Sequence, residues 1–348
     1  MLLKEPYFGS WYNDGNLGSG AFGTVYSIYR NSPDGQKIFA AMKVLRVPRS
    51  GVEVDELKSQ GYTSRQIKAM YMPQLKRLQG EIDVLKSLRG DDHIVIYEES
   101  QIVEDPSGLG WEVYIRMEKL ENLTHYFKRV SATTEDILNL WIDVATGLKT
   151  VHAHNLIHRD IKPENILVSA EGLYKLTDFG IARHLDESSN VMTRAGTFPY
   201  MAPEVNRHEA YDIRADIYSL GLVIYGLFNH NRYPFLPPFP ENFYPDDRDR
   251  AQERRFAGEK IPPVPGMPQK IWRVLEKCIE FEPKSRYSNA DELLEAVRGI
   301  RLGNDELVAH VDVTDTSHKP KQWKVILLVF LVLIALYLGA FIAYKLLA

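Results

Sequence analysis

Four side chains in one stretch of the sequence could together handle a phosphate. Asp160, Asn165 and Asp178 offer oxygen donors, and Lys162 adds a cation just after the first of them. Carboxylate and amide oxygens are hard ligands, the kind Mg²⁺ takes while it also bridges phosphate oxygens. A carboxylate at Asp160 could accept the proton of an attacking hydroxyl, and Lys162 could neutralise charge on a transferred phosphoryl group. Such a transfer passes through a loose transition state, so a protein contributes mainly positioning and charge neutralisation. Asp160 or Asp178 alone could be an ordinary loop aspartate capping a turn. The signal lies in the order: His158-Arg159-Asp160, then Asn165, then Asp178-Phe179-Gly180, then Ala202-Pro203-Glu204.

A second cluster precedes it. LGSGAFGTVYSIYR carries Gly18, Gly20 and Gly23 in G-x-G-x-x-G form, with Val25 two residues on. Alone, this motif could be a dinucleotide-binding turn that opens a helix. Here alternating β-branched and aromatic residues follow (Val25, Tyr26, Ile28, Tyr29), then a turn at Pro33-Asp34-Gly35 and a second strand pattern, KIFAAMKVL. A hairpin lid is therefore favoured, its glycines letting backbone N–H groups approach phosphates without a side chain between.

Taken together and in this order, the motifs resemble those of the eukaryotic-type (Hanks-type) protein kinase family. The resemblance covers residues 11–302 and implies an α+β, two-lobed fold. A small β-rich lobe would run to about Met117, a hinge would occupy 118–121, and a large helical lobe 122–302. It implies ATP as the nucleotide, Mg²⁺ (or Mn²⁺) held by Asn165 and Asp178, and Asp160 as the base. Lys162 would reach the γ-phosphate, and Lys43 would pair with the α- and β-phosphates. Leu17, Val25, Ala41 and Leu167 fall where the family places its adenine walls, though ordinary core residues would read the same. Met117 falls at the gatekeeper position, with backbone near Glu118 and Leu120 at the adenine edge. The family also requires a glutamate on the next helix to orient the lysine. Glu81, in LKRLQGEIDVLKSL, is the choice. Glu53 and Glu56 are rivals, because Lys43 and Glu81 lie further apart than is usual in the family.

Further implications follow from the same resemblance. Lys162 and the pair Gly196-Thr197 are those of serine/threonine rather than tyrosine kinases, with Thr197 contacting Asp160 and Lys162 to help accept a protein Ser/Thr substrate. Asp216 resembles the aspartate that braces the His158–Asp160 backbone, and Arg286 the arginine that pairs with Glu204. Arg159 resembles the arginine that often receives an activation-segment phosphate. Thr193 is its expected carrier, ahead of Ser188, Ser189 and Thr197. Two rival readings stand beside this one: a kinase-fold scaffold without turnover, and a small-molecule kinase. The first is disfavoured by the intact metal and lysine positions, the second by the Ala202-Pro203-Glu204 and Gly-Thr elements of a peptide platform.

The elements that must position these residues are legible as patterns. IVIYEESQIVEDPSGLGWEVYIRMEKL reads as two strands joined at a Pro-Ser-Gly turn. Ile137, Leu140, Trp141, Val144 and Leu148 mark one face of a helix over Thr133–Ala153. YDIRADIYSLGLVIYGLF reads as a buried helix, too short and interrupted for a membrane span. Residues 48–72 read as an insertion with its own helical tendency. Proline-rich loops flank the charged helical stretch DDRDRAQERRF.

The formal net charge of −4 gives no basic field for nucleic acid. A single cysteine, Cys278, excludes an internal disulfide and fits a reducing compartment. Met1-Leu2-Leu3 is cut short by Lys4, Glu5 and Pro6, which does not read as a signal peptide. Residues 303–324 read as a polar linker. Val325–Tyr344 then runs without a charge for about 30 Å of helix, enough to cross a bilayer. Lys319, Lys321 and Lys324 outweigh Lys345 beyond it, so the positive-inside bias puts the large domain in the cytoplasm behind a C-terminal anchor. Ala335, Gly339 and Ala343 share a face of that helix, which could pair two copies, although such residues are also common in single anchors.

Overall fold

Strand-forming alternation in the first part of the chain builds an antiparallel sheet with the order β1-β2-β3-β5-β4. In this computed structural model, residues 3–20, 23–179 and 198–303 are described. The strands are β1 (Tyr12–Gly20), β2 (Gly23–Asn31), β3 (Lys37–Val47), β4 (Tyr97–Glu104) and β5 (Trp111–Glu118). The turn between β2 and β3 closes where expected, Gly35 N–H donating to Ser32 O at 2.9 Å.

The two faces of the sheet have different covers. Leu45, Val47, Val113 and Ile115 pack under a long helix, in one cluster with Ile67, Leu78 and Ile82. The opposite face, with Met42, Val44 and Tyr114, is covered by Tyr7 and Trp11. A short reverse turn holds that segment, Trp11 N–H donating to Tyr7 O at 2.9 Å. Leu3 N–H donates to the Tyr114 hydroxyl at 2.8 Å and fastens it to the sheet.

The segment expected as an insertion with its own helical tendency is helical in two pieces. Helix α1 spans Gly51–Ser59, and α2 spans Ser64–Ser87 without a break at Pro73. Residues 64–72 are thus the first turns of the helix that carries Glu81. The physical reason is a single stripe: Ile67, Tyr71, Leu75, Leu78 and Ile82 recur every three or four residues and are all buried. Thr63 and Gln66 form a capping box that fixes its start.

The second lobe is helical. It contains α3 (Leu123–Arg129), α4 (Thr134–Ala153), α5 (Pro203–Asn206), α6 (Arg214–Phe228), α7 (Pro245–Phe256), α8 (Gln269–Cys278) and α9 (Ala290–Leu302). Helix α6 is buried from Ala215 to Gly226, as its nearly continuous apolar run requires. Cys278 is buried in α8, where desolvation pushes its thiol pKa up, so it packs rather than reacts. A small sheet orders β6 (Glu121–Asn122), β7 (Ile166–Val168) and β8 (Tyr174–Leu176) side by side. Leu176 of β8 donates its N–H to His93 O and accepts from Val95 N–H, each at 2.9 Å, which ties β8 to the loop after α2. No helix among the described residues is long and apolar enough to cross a membrane. The segment 325–344 lies outside the described residues.

Candidate active site

The loop between α4 and β7 carries the first polar cluster, and a buried aspartate holds its backbone. Asp216, from α6, accepts the N–H groups of His158 and Arg159, both at 2.8 Å, on its two carboxylate oxygens. Those bonds support Arg159 at φ +67°, a conformation that costs energy for a residue with a side chain. His152 Nε2 lies 3.1 Å from the same carboxylate. Burial pushes the His158 pKa down, so its ring is neutral. Its Nε2 meets the carbonyl of Thr177 at 2.9 Å, and a carbonyl can only accept, so the proton sits on Nε2. The ring also packs on Phe179 at 4.8 Å.

Asp160 is buried and its carboxylate is held from two sides. Lys162 Nζ approaches Oδ2 at 2.8 Å, and Asn165 Nδ2 donates to Oδ2 at 2.9 Å and to the Asp160 carbonyl at 2.8 Å. The amide nitrogen of Asn165 is therefore spent on Asp160, which turns the amide oxygen away from it. Thr177 N–H donates to Asn165 O at 3.0 Å, joining this loop to the residue before Asp178. Asp178 has φ +59°, a second strained position at the end of β8.

Lys43 bridges from the sheet to this site. It is buried in β3, and its Nζ contacts Asp178 Oδ1 at 2.6 Å. The pair expected between Lys43 and Glu81 is not formed. Leu75, Leu78 and Ile82 take the face of α2 turned to the sheet, and Glu81 lies at the edge of that stripe. Its Oε2 is buried and has no hydrogen-bond partner among the described residues. Burial raises its pKa to about 8, against the opposing pull of Arg159 and Arg77. The rivals do not replace it: Glu53 accepts a bond from Tyr71 at 3.2 Å, and Glu56 lies exposed on α1.

The residues expected around a nucleotide fall as follows. The register pairs Val25 with Lys43 and Ser27 with Ala41, so Val25 and Ala41 share the face that carries Lys43. Gly18 and Gly20 lie in β1, and Leu17 sits exposed at a register shift in the same strand. Gly23 opens β2 at φ +129°, with Val44 O only 2.3 Å from where a Cβ would stand. Met117 lines a small apolar cavity with Lys43, Leu85, Tyr97 and Phe179. Leu120 follows β5, and Leu167 lies in β7 opposite Lys175. Thr197, Thr193, Ser188, Ser189 and Gly180 lie outside the described residues. Glu204 and Arg286 form a buried two-pronged pair at 2.7 and 2.8 Å.

Two contacts beside the site were not anticipated. The Glu118 carboxylate accepts Lys175 Nζ at 2.9 and 3.2 Å and Ile96 N–H at 2.7 Å. Lys119 Nζ donates to Ser27 Oγ at 2.8 Å. In the sequence, the only hint of the first is a lysine between two apolar strand residues, Tyr174 and Leu176.

Comparison with known proteins agrees with this geometry. The family model described as "Protein kinase domain" matches residues 11–297. The protein named "Probable serine/threonine-protein kinase PknB" of Bifidobacterium longum is 32% identical over 63% of this chain and 32% of its own length. "Serine/threonine-protein kinases drp72" of Corynebacterium efficiens is 30% identical over 66% of this chain and 43% of its own. "Mitogen-activated protein kinase kinase kinase 1a" of Physcomitrium patens is 31% identical over 69% of this chain and 28% of its own. The chain spans about a third of the length of the curated relatives it matches. It belongs to the protein kinase family, and its domain is of the ATP-dependent serine/threonine kind.

Proposed function

We propose that the protein transfers the γ-phosphate of ATP to serine or threonine hydroxyls of a protein substrate while anchored to a membrane. The observation that carries the transfer is the cradle around Asp160. Its carboxylate is held by Lys162 and Asn165, and the hairpin of β7 and β8 leads from there to Asp178 and its pair with Lys43. Asp160 would accept the hydroxyl proton, Lys162 would face the transferred group, and Lys43 would hold the other phosphates. Asp178 and the amide oxygen of Asn165 suit Mg²⁺, which binds through one or two protein oxygens and completes its shell with phosphates and water. When bound, the ion would neutralise phosphate charge. Gly18, Gly20 and Gly23 would lie over the phosphates. Val25, Ala41, Leu17 and Leu167 would line the adenine slot beside Met117, with backbone at Glu118 and Leu120 on its edge.

The arrangement described is a resting one on this reading. Among the described residues Lys43 pairs with Asp178 and not with Glu81, and Glu81 must move toward Lys43 to complete the site. A phosphate on Thr193, paired with Arg159, would order the activation segment, and Thr197 would then help receive the substrate. The uncharged run 325–344 would supply the anchor, with the kinase domain cytoplasmic. The Ala335/Gly339/Ala343 face would let two copies phosphorylate one another.

One experiment with four chains tests this. The full chain should sediment with membranes and phosphorylate a generic protein from Mg²⁺-ATP, with phosphate on Thr193. The Asp178→Asn chain should lose activity by about 10³-fold or more while still folding. A chain lacking 325–344 should stay active but leave the membrane, and Gly339→Ile should slow only Thr193 phosphorylation. Near-normal activity in Asp178→Asn would refute the catalytic reading. Sedimentation without 325–344 would refute the anchor, and unchanged autophosphorylation in Gly339→Ile would refute the pairing.

A further inference from the structure

Strand β1 does not pair evenly with β2. Asn13 is opposite Ile28 and Gly15 is opposite Ser27, so Asp14 is the extra residue of a β-bulge. A bulge re-aims the side chain at its extra residue. Gly15, at φ +136°, allows the backbone to make that step. Asp14 Oδ2 thereby reaches Ser27 Oγ, which donates to it at 2.9 Å. Ser27 is buried on the face of β2 that also carries Val25. Its hydroxyl is satisfied a second time by Lys119, which donates at 2.8 Å and lies 4.0 Å from Asp14. The Lys119 ammonium also stands over the Phe39 ring, 4.7 Å from its centre.

We propose that Asp14, Ser27 and Lys119 form a latch that sets the height of the glycine-rich hairpin over the nucleotide. Lys119 follows β5 in the segment assigned to the hinge, while Asp14 lies in the strand that carries Gly18 and Gly20. The hydroxyl of Ser27 joins the two through charge-assisted bonds at both ends. Both charged side chains are about a third exposed, 32% and 30%, so their mutual attraction is screened. What makes the link count is the buried hydroxyl between them, which loses partners if either is removed. These residues touch neither phosphate nor substrate on this reading; they are positioning residues. The latch rests on the nucleotide site proposed above and adds a determinant of ATP affinity to it.

The test measures KM for ATP, kcat and thermal stability for Lys119→Met, Asp14→Ala, their double variant and Lys119→Arg. Lys119→Met and Asp14→Ala should each raise KM for ATP about fivefold with kcat within about twofold. The double variant should be no worse than either single, because one removal already opens the latch. Lys119→Arg should restore most of the affinity. Full additivity in the double variant overturns the latch, as does an unchanged KM with lowered stability. If the wild-type chain binds no ATP, the nucleotide reading itself falls and takes the latch with it. If the wild type binds normally and the variants match it, only the latch falls.

Discussion

A half-buried carboxyl group with one unpaired oxygen is better kept as the acid, and Glu81 is such a group. Burial raises its pKa from 4.5 to about 8, so at neutral pH it holds a proton in this arrangement. The arrangement is favoured most below about pH 4.5, where the proton is bound in any state. That advantage erodes as pH rises through 4.5 to 8 and is gone above about 8. A carboxylate paired with Lys43 would have no such dependence in that window, so rising pH should shift Glu81 toward Lys43. Carboxyl NMR of the wild type should show a Glu81 midpoint near 8, and a spin-label distance between α2 and β3 should shorten with it. Glu81→Gln should abolish the distance change. An ordinary carboxylate midpoint for Glu81 would sink the idea. Asp160, Asn165 and Asp178 were legible in the sequence because short loop spacings confine them. The partner of Lys43 was not, because it depends on how α2 is turned against the sheet.

At the scale of elements, the three glycines of the hairpin are unlike one another. A methyl group on Gly23 would stand 2.3 Å from Val44 O at φ +129°, whereas a methyl group on Gly18 or Gly20 would meet nothing within 4 Å. Gly23→Ala should therefore destabilise the domain by about 1–3 kcal/mol. Gly20→Ala should leave the melting temperature unchanged and raise KM for ATP, because the methyl group would occupy the space over the phosphates. Equal losses of stability in both variants would show that the distinction is wrong. The motif spacing located the hairpin but could not separate these glycines, since backbone angles are not written in spacing. Helix α2 teaches the same point from the other side. Its buried stripe runs unbroken from Ile67 to Ile82, yet the distance from Lys43 made its first turns read as an insertion. The bulge at Asp14 was invisible, because it is a property of pairing between strands and not of either strand.

At the scale of the whole domain, the pair between Glu118 and Lys175 joins the large sheet to the small one. Both side chains are largely buried, Lys175 at 7% exposure and Glu118 at 20%, and the carboxylate receives a third bond from Ile96. Removing one partner strands the other charge, whereas replacing both with apolar groups need not. Lys175→Met should cost about 3 kcal/mol in chemical denaturation, and Lys175→Met with Glu118→Leu should recover much of it. A double variant less stable than the single would contradict this account. The cover on the far face of the large sheet has a consequence for synthesis. Leu3 meets Tyr114, a partner 111 positions later, and Tyr7 and Trp11 pack in the same cluster. Closing so long a loop has to await the emergence of β5. Met42 and Val44 of β3 can cover Tyr7 and Trp11 before then, so this face of the small lobe starts to close with β3 and is finished only once β5 has been made.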